Sequence, residues 1–304
     1  MDGTDRHRGI FSENTSGATI IDFQRFFVQV TTTPHPFTFA PAREHPLIIH
    51  QIGQTKYDAR INHILPKLVS VFQSHAPLPQ LPTSPLGPIS LPTNTPTPIE
   101  HDWLWDRLSS FLRPTDLVIT ETGTCQGGIT ATRFPHGAHG WTQGIYGSIG
   151  YAAGAAAGAS VASKETGLYN RAVLVTGEGS LQLTVQAFSL LNRLGVPPVV
   201  FILNNKGYTI ERYFNGWEAA YNDIPMWDYG ALAKGFAPEV EVEGYKVGTA
   251  EELDRLLSDD EGFGNSTKPR IVDMVMGVDD APTGLKMVFR EKERRRAAAA
   301  TAAH

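Results

Sequence analysis

Residues 173–180, Val-Leu-Val-Thr-Gly-Glu-Gly-Ser, read as a buried apolar strand that runs into a glycine-flanked carboxylate and then a helix start. Glycine on both sides of Glu178 lets the backbone come close to a bulky anion. The N–H groups of Gly179, Ser180 and Leu181 would then point at that anion from the first turn. A bare phosphate would be repelled by Glu178, so the pattern makes chemical sense with a hard divalent cation between carboxylate and phosphate oxygens. A plain strand-to-helix corner accounts for the same residues without any ligand. A second apolar run, residues 199–203, ends in Asn204-Asn205-Lys206-Gly207-Tyr208. Asn-Lys-Gly forms turns readily by itself. Alternatively, the Asn205 amide oxygen and the Gly207 carbonyl are neutral ligands that, with Glu178, phosphate oxygens and water, would complete an octahedral magnesium shell.

The elements needed to bring these residues together are legible in the hydrophobic pattern. Trp103, Leu104, Leu108 and Leu112 fall at helical spacing, and residues 117–120 form a short buried strand. A small-residue helix over 147–163 follows, then a strand over 172–176, a helix over 181–194 and a strand over 198–203. Such alternation implies an α/β fold, a largely parallel sheet flanked by helices. A right-handed crossover between the strands ending at Thr176 and Leu203 puts both ends on one sheet edge. Ligands bind outside those carboxyl ends.

The rest of the chain is organised more loosely. Residues 1–18 are polar and rich in Gly, Ser and Thr, which predicts a disordered start. Residues 19–73 carry strand candidates at 26–30 and 46–50 and helical spacing of Ile61, Ile64, Leu65, Leu68 and Val69. That is little material for an independent core and suggests the remnant of a central α/β domain. Residues 74–100 are dense in proline and read as a linker. Residues 101–285 form the main domain, and 286–304 are a low-complexity tail, a frayed helix or disordered from Arg290 on.

Composition narrows the function classes. The chain has 304 residues, 41% hydrophobic and 19% charged, as expected of a soluble globular protein. A formal charge of −5 argues against nucleic-acid binding. The single cysteine, Cys125, excludes an internal disulfide framework and suits a reducing compartment. No apolar run is long enough to span a bilayer, and the N-terminus lacks a signal-like apolar segment. A cytoplasmic protein is the expectation. A dinucleotide-binding reading fails because no G-x-G-x-x-G opens a helix after the first strand.

The segment GEGSLQLTVQAFSLLNRLGVPPVVFILNNKGYTIE, residues 177–211, resembles the thiamine diphosphate signature, which begins Gly-Asp-Gly and ends Asn-Asn. Its GSLQLTVQ and NNKGYTIE stretches are similar in particular to pyruvate decarboxylases and their indolepyruvate and phenylpyruvate relatives. ITETGT at 119–124, YGSIGYAAGAAAGA from Tyr146 and IVDMVMGVDDAP up to Pro282 match the same family in order and spacing. The resemblance implies a thiamine diphosphate-binding fold and non-oxidative decarboxylation of a small 2-oxo acid to an aldehyde and CO2 through the cofactor ylide. It implies magnesium on Glu178, Asn205 and the Gly207 carbonyl, and diphosphate on Gly179, Ser180, Thr209 and Ile210. Gly147 would accept from the aminopyrimidine, with Ser148 beside it. Ile149 would hold the cofactor bent, and Thr122 and Thr124 would line its pyrimidine end. Glu211 would be the catalytic acid near the reacting carbon; a solvated place on the helix opening at Tyr208 is its plainer reading. Gln126, Ile129 and Ile210 would lie near the substrate. An acetohydroxyacid synthase fits less well, because the TIE stretch resembles the decarboxylases.

Two departures from that pattern carry consequences. Glu178 stands where the family has aspartate, and its extra methylene advances the carboxylate by roughly 1.5 Å, which predicts looser magnesium binding. The family's N-terminal domain, which supplies the glutamate facing the aminopyrimidine and the acid and histidine pair for the substrate, has no counterpart in residues 1–100; His136 and His139 read as ordinary loop residues. The expectation is therefore an oligomer in which another chain carries the missing domain. The alternative is a non-catalytic remnant or dimerising partner without activity of its own.

Overall fold

The computed structural model describes residues 20–23, 28–31, 48–51, 54–57, 61–74 and 92–302. The chain divides into two compact units, Met1–Gly87 and Pro88–His304. In the first, β1 (Ile20–Phe23), β2 (Val28–Thr31), β3 (Ile48–Gln51) and β4 (Gln54–Tyr57) form an antiparallel sheet of order β1-β2-β4-β3, followed by α1 (Ile61–Ser74). The expected strands at 26–30 and 46–50 correspond to β2 and β3, while 26–27 and 46–47 lie outside the described residues. So do the expected disordered start, residues 1–18, and most of the expected linker, residues 75–91.

The second unit runs α2 (His101–Phe111), β5 (Asp116–Thr120), α3 (Thr124–Ile129), β6 (His139–Thr142), α4 (Tyr151–Thr166), β7 (Arg171–Gly177), α5 (Glu178–Leu181), α6 (Phe188–Leu194) and β8 (Pro198–Asn204). It continues with α7 (Thr209–Asn215), α8 (Tyr229–Phe236), β9 (Glu243–Val247), α9 (Ala250–Leu257), β10 (Arg270–Val275) and α10 (Thr283–Ala302). Its six strands form one parallel sheet of order β6-β5-β7-β8-β10-β9. Side chains alternate across it, as strand geometry requires. Val173 and Val175 face a core with Trp103, Leu108, Phe201 and Leu253, whereas Leu174 faces a second core with Ala153, Ala156, Ile202 and Tyr229. Helices α2 and α9 thus cover one face and α4, α6 and α8 the other, which is the expected α/β fold. The small side chains Ala152, Ala153, Ala156 and Ala157 let α4 lie close on the sheet.

Several boundaries differ from the sequence reading, each for a local reason. The helix expected from residue 147 begins at Tyr151, because the Glu121 carboxylate takes the Gly150 and Ala152 N–H groups (3.1 and 3.2 Å) and leaves 147–150 as a loop. The helix expected over 181–194 is broken into α5, a 3-10 turn at Val185–Ala187 and α6. At the break, the Thr184 hydroxyl donates to Gly150 O at 2.7 Å, a tertiary bond in competition with helix continuation. His139 opens the edge strand β6 instead of lying in a loop, with its ring edge-on to Tyr169. The end of the expected linker is core: Ile99 is fully buried and bridges to Met276. The tail is a helix from Thr283, and Phe289 is buried and stacked on Tyr213 at 4.3 Å.

His101, buried on α2, accepts from Trp105 Nε1 through Nδ1 at 3.2 Å, and no partner reaches its Nε2. Burial pushes its pKa down to about 4, against the pull of the Asp280 carboxylate. The folded state therefore binds fewer protons than the unfolded one between about pH 4 and 6.5, so stability is complete above that window and falls with pH through it. The loss is on the order of 3 kcal/mol. Thermal unfolding followed from pH 7 to pH 4 should show this slope, and His101→Asn should flatten it; an equal slope in the variant rejects the assignment.

Candidate functional site

Strands β7 and β8 run parallel with Gly177 opposite Leu203, so the residues that follow them, Glu178 and Asn204-Asn205, emerge side by side. The two asparagines part company there. Asn204 still obeys the strand alternation and donates to Asp273 Oδ1 at 2.8 Å on the α8 side of the sheet, while Asn205 turns toward Glu178. Next along the chain, Lys206 adopts φ 62° and Gly207 φ 141°, a tight turn that aims the Gly207 N–H at Glu178 Oε1, 2.7 Å away.

The Asn205 amide has two chemically distinct settings. With nitrogen inward it donates to Glu178 Oε1 (3.1 Å) and to Gly207 O (2.7 Å), and its oxygen takes the Thr209 hydroxyl proton (2.9 Å). With oxygen inward, carboxylate, amide and carbonyl oxygens crowd one point, an arrangement that a cation among them resolves. Thr209 can serve the second setting as acceptor, since its hydroxyl also reaches Val278 O at 2.9 Å. Oxygen donors of these three kinds suit a hard divalent ion. Among the described residues no cluster of three His, Cys, Asp or Glu could hold a metal, so any cation here relies on the two neutral oxygens.

Glu178 is 1% exposed. Burial pushes its pKa up to about 7, and the N–H bonds from Gly207, its own backbone, Asn205 and Gly179 hold the rise in check. A buried carboxyl near neutrality is poised between a proton and a cation, and cation binding would release the proton.

Around this cluster lies a cleft of about 290 Å³ outside the carboxyl ends of β5, β7 and β8. That is where the connections from β5 and β7 leave in opposite directions along the sheet, the place where such sheets bind ligands. Of the residues singled out in the sequence, Thr122, Thr124, Gly147, Ile149, Glu178, Gly179, Ser180, Asn205, Gly207, Thr209, Ile210 and Glu211 line it. Ser148 belongs to the same exposed strip but not to the lining. Glu211 is exposed at the rim and accepts from Asn215 Nδ2 at 2.5 Å. Gln126 accepts from the Thr122 hydroxyl at 3.1 Å, whereas Ile129 is turned away and packs against the α2 core. Gly179 has no room for a side chain, because a Cβ there would sit 2.6 Å from the Tyr208 ring.

Gly177, the glycine before Glu178, also lines the cleft, as do Gly123, Cys125 and Tyr208, for which the sequence suggests no site role. The most consequential omission is Glu121. Buried behind the wall, it accepts from Thr122 N at 3.0 Å and from Gly150 and Ala152 N, tying the turn after β5 to the 147–150 strip. Its sequence signal is the one Glu178 carries, an acid directly after a buried apolar strand. Cys125 is buried there, and burial together with the Glu121 and Glu178 carboxylates raises its thiol well above the ordinary range.

Residues 121–274 match the family model for the thiamine pyrophosphate enzyme C-terminal TPP binding domain. The pyruvate decarboxylase of Aspergillus fumigatus is 43% identical over 196 residues, 64% of this chain and 34% of that protein. Pyruvate decarboxylase isozyme 1 of Saccharomyces cerevisiae is 40% identical over 206 residues, 65% of this chain and 36% of the relative. For the pyruvate decarboxylase of Kluyveromyces lactis the match is 33% over 282 residues, 93% of this chain and 46% of the relative. The chain thus spans between a third and a half of the curated relatives it matches. The thiamine diphosphate-dependent 4-hydroxybenzoylformate decarboxylase of Rhodococcus jostii RHA1 superposes with a TM-score of 0.54 at 19% identity, covering 74% of this chain and 41% of that one, a likeness of fold.

A Cβ at Gly207 would lie 2.1 Å from Asn222 O, in a φ region hostile to side chains. Gly207→Ala should therefore cost about 3 kcal/mol of stability, read from denaturant unfolding. An unchanged midpoint would show that the turn can relax.

Proposed function

The chain belongs to the thiamine pyrophosphate enzymes, and from that premise we propose that it supplies the diphosphate-and-magnesium wall of a pyruvate decarboxylase-like site. The observation that carries the reading is the convergence of Glu178, Asn205 and the Gly207 carbonyl on one point beside the Gly179–Ser180 turn, in a single cleft. In this reading Glu178 Oε1, Asn205 Oδ1 and Gly207 O bind Mg2+, and Gly179, Ser180, Thr209 and Ile210 hold the diphosphate. Thr122, Thr124 and the 147–149 strip take the pyrimidine end, with the Gly147 carbonyl as acceptor and Ile149 as the support beneath the rings. Bound here, thiamine diphosphate would supply the electron sink that loss of CO2 from a 2-oxo acid requires. Glu211, at the rim of the cleft, moves a proton on its carboxyl near the reacting carbon. Its exposure and its bond to Asn215 keep that carboxyl within reach of solvent protons. The substrate is a small 2-oxo acid, pyruvate first, and the product an aldehyde.

A second chain completes the site in this proposal. The wall beside the cleft is apolar and open, with Ile145 91% and Tyr146 85% exposed and Trp141 exposed next to them. A patch of that kind fits burial against a partner domain. One observation favours a non-catalytic role instead: Glu178 already closes on the Gly207 N–H, so the carboxylate is satisfied without a metal. No helix among the described residues is long and apolar enough to cross a membrane.

Calorimetric titration of the purified chain with thiamine diphosphate should give binding only when Mg2+ is present. Asn205→Ala should weaken it by at least about tenfold. Binding that ignores Mg2+, or none at saturating cofactor, sinks the reading. With pyruvate, residues 1–304 by themselves should release no measurable acetaldehyde, and turnover should begin when a second polypeptide that covers the open 144–149 wall is added. A normal rate without that addition would refute the shared site.

A further inference from the structure

The ligand turn Asn205–Gly207 holds an uncomfortable backbone. Lys206, at φ 62°, is the only residue other than glycine with positive φ among the described residues. That region is unfavourable for a lysine and easier for glycine, asparagine or aspartate. Something must hold the turn, and the neighbours of Arg212 show what. Its side chain is buried inside the loop that follows the turn, although it sits in the first half of α7 next to exposed Glu211. Nη1 donates to Trp217 O at 3.1 Å. Nη2 reaches Lys206 O and Asn222 O, each at 3.4 Å, and the Asp223 carboxylate at 2.6 Å. Asn222 O in turn accepts the Tyr208 N–H at 3.0 Å. The rigid guanidinium fork thus joins the turn to the 217–223 segment through carbonyls on both sides.

We propose that Arg212 is a positioning residue that holds Lys206 in its left-handed conformation and thereby fixes the Asn205 and Gly207 oxygens in cation-binding geometry. The inference rests on reading Glu178, Asn205 and Gly207 as the magnesium ligands. Arg212 touches neither ion nor substrate; it acts through the backbone. Its carboxylate partner Asp223 is mostly exposed, 71% at the side chain, and it anchors the fork from outside.

The test uses the purified chain, magnesium and inorganic pyrophosphate. By calorimetry, Arg212→Gln should lower affinity for magnesium pyrophosphate by about tenfold, and the Tyr208 amide should exchange its hydrogen faster. Adding Lys206→Asn, a residue at ease at positive φ, should restore much of the affinity without the arginine. Unchanged affinity and unchanged Tyr208 exchange in R212Q would overturn the proposal. So would a loss that K206N leaves unrepaired, since Arg212 would then act by another route. If R212Q does not fold, Asp223→Asn loosens the same fork more gently and is read in the same two ways. Should the unaltered chain bind no magnesium pyrophosphate, the metal reading itself fails, and Tyr208 exchange alone judges the clamp.

Discussion

Everything at the candidate site depends on the parallel pairing of β7 and β8, which delivers an acid and an amide to the same point. With Gly177 opposite Leu203, Glu178 lies one residue and Asn205 two residues beyond the pair, so the two meet at the same sheet end. A slip in register would send them to different faces. The sheet resists that slip because both strands are buried along nearly their whole length, with apolar side chains committed to two distinct cores.

The polar groups buried in this unit sort by sheet end. At the amino ends of β5 and β7, Arg171 and Asp116 form a closed pair at 2.6 Å, with the guanidinium over Phe111 and further carbonyls accepting from it. Such a pair is satisfied and needs no ligand. At the carboxyl ends, Glu121 and Glu178 form no ion pair among the described residues and rely on backbone N–H groups. Glu121 is fully used as a tie between two wall segments. Glu178 lies in the open cleft with an amide and a carbonyl at its side, and it is the carboxyl that burial lifts to about 7. The contrast separates the carboxylate that ties the wall together from the one that lines the cleft.

Rigidity is distributed in the same way. The β7–β8 side of the cleft is held by sheet ends, by the Tyr208 ring that fills the space beside Gly179 and by the buried fork of Arg212. On the other side, the 144–149 strip is exposed along its length and anchored through Gln143 Oε1, which accepts from Tyr146 and Gly147 N. One wall is finished by this chain and the other is open, which is the physical basis for proposing a second chain.

The α/β alternation, the two central strands to within a residue at their carboxyl ends, and most of the cleft-lining residues were legible in the sequence. They are set by local rules: hydrophobic period, glycine beside an acid, amides after an apolar run. Less legible was whatever depends on a partner distant in the chain. Glu121 finds its N–H donors about thirty residues on, at Gly150 and Ala152, and so moves the start of α4. Thr184 breaks an expected helix by reaching back to Gly150. Phe289, just ahead of the stretch expected to fray from Arg290, is anchored by stacking on Tyr213, and Ile129 faces the core where a position near the substrate was expected. Sequence alone determined which residue types stand at the cleft, because type and spacing carry that information. Only the tertiary structure decided which carboxylate ties the wall together and which lines the cleft, because that choice depends on which backbone donors the fold brings within hydrogen-bonding reach.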